Sequence, residues 1–220
     1  MVLANVIFDL DGTLVDSLSG IEFSVNHALK ARGYAPRINE LRPLIGPPIR
    51  GILSKVTGET GAQALDELEA AFRESYDTEG WKKTVLMCGA EQVLHEGAAA
   101  GRRMFLVTNK PQDATSRIVD WFGIESFFSR VICWDSATPP YASKAGMLRS
   151  LMSLDGVSAA TSLVVGDTME DFEAASEVGM PAAIVGGGYG RPGGVARQSL
   201  YLVGALDELG SVFAKVGGVA

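Results

Sequence analysis

The sequence predicts an α/β protein whose core is a Rossmann-like, doubly wound parallel sheet, and three observations support this fold. Short apolar runs recur along the chain, each run ends in polar or glycine-rich residues, and helical patterns lie between the runs. Apolar runs without alternation are typical of strands that are buried on both faces, as in a parallel sheet. Strands that alternate with helices give a doubly wound fold.

Five apolar runs are predicted to be strands, and they cover residues 2–8, 103–107, 131–134, 162–165 and 182–185. The helices between them carry recognisable ends. Ser143 can cap the start of a helix, and Gly123 and Gly179 each follow a helical pattern as a left-handed C-terminal residue would.

Almost a hundred residues separate the first predicted strand from the second, which is more than one crossover connection needs. Apolar residues recur there at helical spacing in two stripes: Ile21, Val25, Ala28 and Leu29, then Leu65, Leu68, Phe72 and Tyr76. We therefore predict a core domain of residues 1–16 and 84–220, with a small inserted α-helical cap domain at residues 17–83. The insertion follows the carboxyl end of a strand, where ligands bind in open α/β sheets.

Composition argues against several classes of function. The chain has 19 Lys and Arg against 26 Asp and Glu, a net charge of −7, so we expect no nucleic-acid and no membrane partner. The two cysteines, Cys88 and Cys133, show neither a CxxC pattern nor a metal-binding spacing. We expect no disulfide framework, and two scattered reduced cysteines fit a reducing compartment. The first residues do not resemble a signal peptide. We expect a cytoplasmic protein, as a monomer or a homodimer.

The segment DLDGTLVDS, which begins at Asp9, directly follows the first predicted strand. Asp9 and Asp11 can face one crevice if the chain turns between them, and Gly12 gives the backbone that freedom. A lone Asp-Gly pair would more simply be a turn. Two acids, a glycine and Thr13 in succession favour a functional site.

Chemically useful residues also follow three other predicted strands: Thr108 and Asn109, then Lys144, then the run GDTMED that contains Asp167 and Asp171. Taken singly, Thr108 could be a helix cap, Lys144 a solvated lysine and Asp171 a first-turn acid. Their shared position at strand ends is not explained in that way.

The order of DLDGTLVDS, TNKP and GDTMED resembles the haloacid dehalogenase superfamily, over nearly the whole chain. The closest similarity is to its phosphoglycolate-phosphatase-like branch, in which a helical cap is inserted after the first motif. This resemblance implies a phosphatase that hydrolyses a small phosphorylated metabolite through an aspartyl-phosphate. Dehalogenating members lack an acid at the position of Asp11, so dehalogenation is not expected.

The resemblance also implies catalytic roles. Asp9 is the nucleophile and Asp11 the general acid/base. Thr108 and the backbone of Asn109 hold the phosphoryl group, and Lys144 neutralises nucleophile and phosphate. Relatives commonly have Lys-Pro where this chain has Lys144-Ala145, but the stretch between the third and fourth predicted strands contains no other lysine.

A Mg²⁺ site is implied by the same resemblance. Its ligands are Asp9, Asp167 and the backbone carbonyl of Asp11, and Asp171 supports the metal shell. Clustered carboxylates repel one another and need compensating cations, which a lysine and a hard, oxygen-seeking metal ion supply.

Three further features leave alternatives open. Arg50 follows a Gly-Pro-Pro turn in the predicted cap, where it either binds an anionic substrate or is a solvated residue at a helix start. Lys110 either adds positive potential to the site or lies on the surface. The glycine-rich loop 186–190 either lines the cleft or serves a turn.

Alternative functions are a phosphomutase similar to β-phosphoglucomutase, which would share the nucleophile, the acid/base and the metal, and a phosphonate hydrolase. The latter would need a Schiff-base lysine in the cap, and Lys30, Lys55, Lys82 and Lys83 stand in no recognisable context. A binding protein that retains the fold would be expected to have lost a catalytic carboxylate, and none is lost.

Overall fold

The computed structural model describes residues 2–37, 40–190 and 199–218. The chain forms two compact units, Met1–Val15 with Leu86–Ala220 and Asp16–Val85. We call the first the core unit and the second the helical unit. The predicted cap, residues 17–83, begins one residue after and ends two residues before the bounds of the helical unit.

The core unit contains a six-stranded parallel sheet, in the order β5-β4-β1-β6-β7-β8. This confirms the predicted α/β class. The strands are β1 (Asn5–Phe8), β4 (Arg103–Thr108), β5 (Phe128–Cys133), β6 (Ser162–Gly166), β7 (Ala182–Val185) and β8 (Leu200–Val203). Two short strands, β2 (Val15–Asp16) and β3 (Val85–Leu86), pair where the chain passes from one unit to the other.

Helices cover both faces of the sheet: α4 (Ala90–Ala99), α5 (Gln112–Trp121), α6 (Lys144–Asp155), α7 (Met169–Glu177) and α8 (Leu209–Val216). Phe105 belongs to an apolar cluster with residues of α6 and α7. The preceding residue, Met104, points to the opposite face, where its sulfur lies against Gly97 of α4. The sheet is therefore buried on both sides, which explains the unbroken apolar runs.

Helix ends follow the predicted chemistry. Ser143 caps α6 by accepting a hydrogen bond from the backbone N–H of Gly146, 3.1 Å away. Gly123 and Gly179 adopt positive φ angles of 65° and 75° after α5 and α7.

The helical unit consists of α1 (Leu18–Ala31), α2 (Ile49–Thr57) and α3 (Ala62–Ser75), followed by a π-helical turn (Tyr76–Gly80). Both predicted apolar stripes are buried, the first in α1 and the second in α3 and the start of the turn. None of the helices in the described residues combines the length and the hydropathy that a membrane span requires.

Two leucines of α6 provide a matched test of this packing. Leu151 is 0% exposed within the apolar cluster, whereas Leu154 is 62% exposed. We expect Leu151→Ala to lower the free energy of unfolding by about 2–5 kcal/mol, since it leaves a cavity. Leu154→Ala should change it by no more than about 0.5 kcal/mol. Urea denaturation measures both values, and equal losses would contradict the packing of α6.

Candidate active site

The carboxyl ends of three neighbouring strands bring the candidate residues to one edge of the sheet. β1 lies between β4 and β6, and Phe8 pairs with Leu106 on one side and Val165 on the other. Asp9 follows β1, Thr108 ends β4, and Asp167 follows β6. The backbone N–H of Asp9 donates to the Val165 carbonyl, 2.8 Å away, which fixes the chain where it leaves β1.

Asp9, Asp167 and Asp171 form what we call the acidic cluster. Each contributes a carboxylate oxygen, and these oxygens lie within 4.8 Å of one another. The side chains of Asp9 and Asp171 are 12% and 1% exposed, and Asp167 is fully buried. Unit charges 4 Å apart interact by about 4 kcal/mol at an effective dielectric constant of about 20, so the cluster requires positive charge.

Lys144 supplies part of that charge. Its buried Nζ lies 3.0 Å from Asp9 Oδ1 and 2.5 Å from Asp171 Oδ1. Burial lowers the pKa of Lys144, but Asp171 and Asp9 outweigh it and hold that pKa above the ordinary value. Burial likewise raises the pKa of Asp171, and the opposing attraction and hydrogen bond of Lys144 leave that pKa below its usual range. Lys144 therefore stays cationic and Asp171 anionic.

The other two carboxyl groups of the acidic cluster are less well compensated. Burial, with repulsion from Asp171 and Asp167, raises the pKa of Asp9 to about 8 against the opposing attraction of Lys144. Burial and Asp171 raise the pKa of Asp167 to about 6, although two backbone N–H groups donate to it. With one lysine against three carboxylates, the cluster favours a further cation.

Asp171 is held by the first turn of α7. Its Oδ2 accepts hydrogen bonds from the backbone N–H and the hydroxyl of Thr168, at 3.0 Å and 2.7 Å, and the Thr168 hydroxyl caps the helix in return. A side chain at Gly166 would overlap the Asp171 carboxylate. The glycine that ends β6 therefore makes room for this acid.

Asp167 is oriented by the loop after β7. The backbone N–H groups of Tyr189 and Gly190 donate to its Oδ2, at 2.6 Å and 3.3 Å. Its Oδ1 is buried and has no hydrogen-bond partner in the described part of the chain. A buried carboxylate oxygen without a donor, beside two other carboxylates, fits a hard divalent cation that takes oxygen ligands.

Asp11 is paired with Lys110. The Lys110 Nζ lies 3.0 Å and 3.1 Å from the two carboxylate oxygens of Asp11, and Lys110 is 7% exposed. Lys110 is therefore buried beside Asp11, and the surface position, one of the two alternatives left open by the sequence, is wrong.

Gly12, at φ 83°, turns the chain beside the acidic cluster, and a side chain there would overlap Asp167 Oδ2.

The proposed phosphate-holding pair lies at the carboxyl end of β4, with Thr108 as its last residue and Asn109 directly after it. Thr108 is buried, and its hydroxyl accepts a hydrogen bond from the backbone N–H of Lys110, 3.1 Å away. The Asn109 amide donates to Glu170 Oε1 at 3.0 Å, which links the end of β4 to the start of α7. The two residues thus lie on the same edge as the acidic cluster.

Arg50 lies in the helical unit, where α2 begins. Its Nη1 is 2.6 Å from Asp66 Oδ1 and 3.5 Å from Glu69 Oε2, and its Nη2 donates to the Ala62 carbonyl at 3.1 Å. Its charge is therefore already balanced within that unit. Its part in substrate selection stays a prediction.

The sequence motifs alone do not predict the pairing of Lys110 with Asp11 or the hydrogen bonds that the backbone of Tyr189 and Gly190 donates to Asp167. The signals were present, because Lys110 directly follows Thr108-Asn109, and the run GGGYG follows the fifth predicted strand. A side chain at Gly188 would overlap Asp167, and one at Gly190 would overlap the Asp167 backbone. The loop's glycines thus permit close approach to an acid.

Comparison with known proteins supports these observations. A family model described as haloacid dehalogenase-like hydrolase matches residues 6–185. The chain is 33% identical over 209 residues to the tyrosine-protein kinase PtkA of Mycobacterium tuberculosis, which covers 93% of this chain and 70% of that protein. It is 30% identical over 193 residues to a phosphoglycolate phosphatase of Psychrobacter arcticus, with 84% of each chain covered.

A 5'-nucleotidase of Pseudomonas aeruginosa is 29% identical over 187 residues, again with 84% of each chain covered. Among solved structures, a predicted phosphatase from Clostridium acetobutylicum superposes with a TM-score of 0.86 at 22% identity, covering 98% of this chain and 100% of that one. This structural similarity establishes the fold, and the family rests on the sequence matches.

Gly190 provides a test of how the loop holds Asp167. A methyl group there would overlap the Asp167 carbonyl oxygen, whereas one at Gly210 in α8 has nothing within 4 Å. We expect Gly190→Ala to lower the free energy of unfolding by about 1–3 kcal/mol. Gly210→Ala should raise it by about 0.5–1 kcal/mol, because alanine favours a helix. Denaturant titration checks both changes, and an unaltered Gly190→Ala protein would refute the close packing.

Proposed function

We propose that this chain, which belongs to the haloacid dehalogenase-like hydrolase family, hydrolyses a small phosphate monoester with the help of Mg²⁺. The chain is a phosphatase of the phosphoglycolate-phosphatase-like branch. The observation that carries the proposal is the buried acidic cluster, in which Lys144 contacts Asp9 and Asp171, and Asp167 Oδ1 has no donor among the described residues.

Asp9, Asp167 and the Asp11 carbonyl would hold the cation, and Asp171 would support it. The ion would withdraw charge from the phosphoryl oxygens, so that the anionic Asp9 can approach the phosphorus. All protein donors are oxygens, as Mg²⁺ prefers. Lys144, fixed beside Asp9, balances the charge that remains.

Two displacements follow from this arrangement. The Asp9 carboxylate attacks phosphorus, the bond from phosphorus to the ester oxygen breaks, and Asp11 gives its proton to that oxygen to release the alcohol. Asp11 then takes a proton from water, the water oxygen attacks phosphorus, and the bond to Asp9 breaks to release inorganic phosphate. The Thr108 hydroxyl and the Asn109 backbone N–H hold the phosphoryl oxygens.

The substrate is a small phosphorylated metabolite such as a phosphoglycolate-like acid, a sugar phosphate or a nucleotide. We assign the chemistry to the core unit and the choice of substrate to the helical unit. We place the protein in the cytoplasm, where the free thiols of Cys88 and Cys133 remain reduced.

A second candidate function is transfer of the phosphoryl group to an acceptor other than water. The 33% identity to a protein named as a tyrosine kinase favours it. A hydroxyl group in the place of the hydrolytic water would receive the phosphoryl group from Asp9 and lose its proton to Asp11. Release of free phosphate without an added acceptor distinguishes hydrolysis from this transfer.

Replacing the nucleophile tests the proposed function. We expect Asp9→Asn to lower phosphate release at least about 1000-fold, since the attacking carboxylate is lost. The measurement is phosphate release from phosphoglycolate, sugar phosphates and nucleoside monophosphates, with Mg²⁺ or with chelator. A parallel reaction with ATP and a tyrosine peptide tests transfer.

The matched control is Asp113→Asn, an exposed acid in the first turn of α5, which should retain the wild-type rate. Full activity of Asp9→Asn would eliminate the covalent route through this residue. A wild-type protein that phosphorylates the peptide and releases no phosphate would favour the second function.

Thermal unfolding measures metal binding independently of activity. The free energy of unfolding of the wild-type protein should rise by about 2.7 kcal/mol at a Mg²⁺ concentration of 100 times its Kd. Asp167→Asn should gain none. In chelator, the same variant should be more stable than wild type, because one of three crowded carboxylates has lost its charge. Equal stabilisation of both proteins by Mg²⁺ would place the ion elsewhere.

A further inference from the structure

The buried ion pair between Lys110 and Asp11 is not used by the mechanism above. The ammonium group lies 3.0 Å and 3.1 Å from the two oxygens of one carboxylate, and the side chains of Lys110 and Asp11 are 5% and 16% exposed. The pair joins the ends of β4 and β1 across 99 positions of sequence. Removal of one partner from a buried ion pair is costly, because the other charge is then left buried without compensation.

Two groups of charged side chains at this edge concern the proposed mechanism. The acidic cluster with Lys144 has a net charge of −2 when its three carboxylates are ionised, which matches a divalent cation. When Asp11 is ionised, its charge and that of Lys110 cancel within a second pair. Among the described residues, the Asp11 carboxylate is not one of the three that lie close enough together to share a metal ion.

We propose that Lys110 is a positioning residue, which holds the Asp11 side chain in the orientation that serves proton transfer at the phosphoryl group. This inference rests on the proposed function. Contact with both carboxylate oxygens fixes the rotation of the carboxyl group, which a single hydrogen bond would leave free. Proton transfer requires the acid/base within hydrogen-bond reach of the leaving oxygen and of the attacking water.

The backbone of Lys110 adds a second link. Its N–H donates to the Thr108 hydroxyl at 3.1 Å, which leaves the hydroxyl proton available to donate to a phosphoryl oxygen. One residue thus sets both the hydroxyl that holds the phosphoryl group and the carboxyl group that moves the proton. The two are placed relative to each other by the fold before substrate arrives.

The competing role is direct contact of the ammonium with the phosphate, which would affect binding and not proton transfer. The two roles are separable by kinetics. A positioning residue acts through Asp11, so its removal lowers kcat and leaves KM and inhibition by inorganic phosphate unchanged. A phosphate ligand would raise KM and weaken that inhibition.

The experiment compares Lys110→Met in the wild-type background and in an Asp11→Asn background. We expect Lys110→Met alone to lower kcat about 10- to 100-fold, part of what general acid–base catalysis contributes. In the Asp11→Asn background it should lower the residual rate no further. Lys110→Arg should recover part of kcat, since a guanidinium can contact both carboxylate oxygens. Lys215→Met, at an exposed position of α8, should leave kcat unchanged.

Three results would overturn the inference: a raised KM with intact kcat, a further loss in the Asp11→Asn background, or full activity of Lys110→Met. Should Lys110→Met not fold, Lys110→Gln, whose neutral amide can still donate hydrogen bonds, replaces it in both backgrounds. Failure of the proposed function looks different, because the wild-type protein would then release no phosphate or Asp9→Asn would release it at the full rate.

Discussion

Compensation of negative charge is the requirement on which the rest of the site depends. The acidic cluster brings three carboxylates within 4.8 Å in a buried place, and each surrounding feature reduces the repulsion or makes room for them. Lys144 contacts two of the three carboxylates, the Thr168 cap holds Asp171, and backbone N–H groups reach Asp167. Glycines occupy the positions at which a side chain would displace an acid.

Much of this edge could be predicted from local sequence, because parallel strands deliver the residues that follow them to a common edge. Asp9, Thr108 and Asp167 each follow or end a strand, so their neighbourhood comes from the order of β4, β1 and β6. The N-cap at Ser143 has an equally local cause. For the strand ends and the helix cap, a pattern of a few neighbouring residues is therefore enough to predict the structure.

Contacts between distant residues could not be predicted in the same way. The partner of Lys110 is 99 residues away, and that of Asn109 is 61 residues away. The ion pairs of Arg50 with Asp66 and Glu69 depend on how α2 packs against α3. The predicted strands include none of β2, β3 and β8, and the first strand begins at Asn5 and not at residue 2. Tertiary hydrogen bonds set where an extended segment becomes a strand.

The two cysteines differ in a way that is useful in the laboratory. Cys133 is buried at the end of β5, and burial raises its pKa to about 11, so its thiol is protonated at neutral pH. Cys88 is exposed, two residues after β3. Because the thiolate is the reactive form of cysteine, an alkylating fluorophore at neutral pH would label one thiol of the native protein. A fluorophore attached to Cys88 would therefore label the wild-type protein just after the point where the chain passes from the helical unit into the core unit.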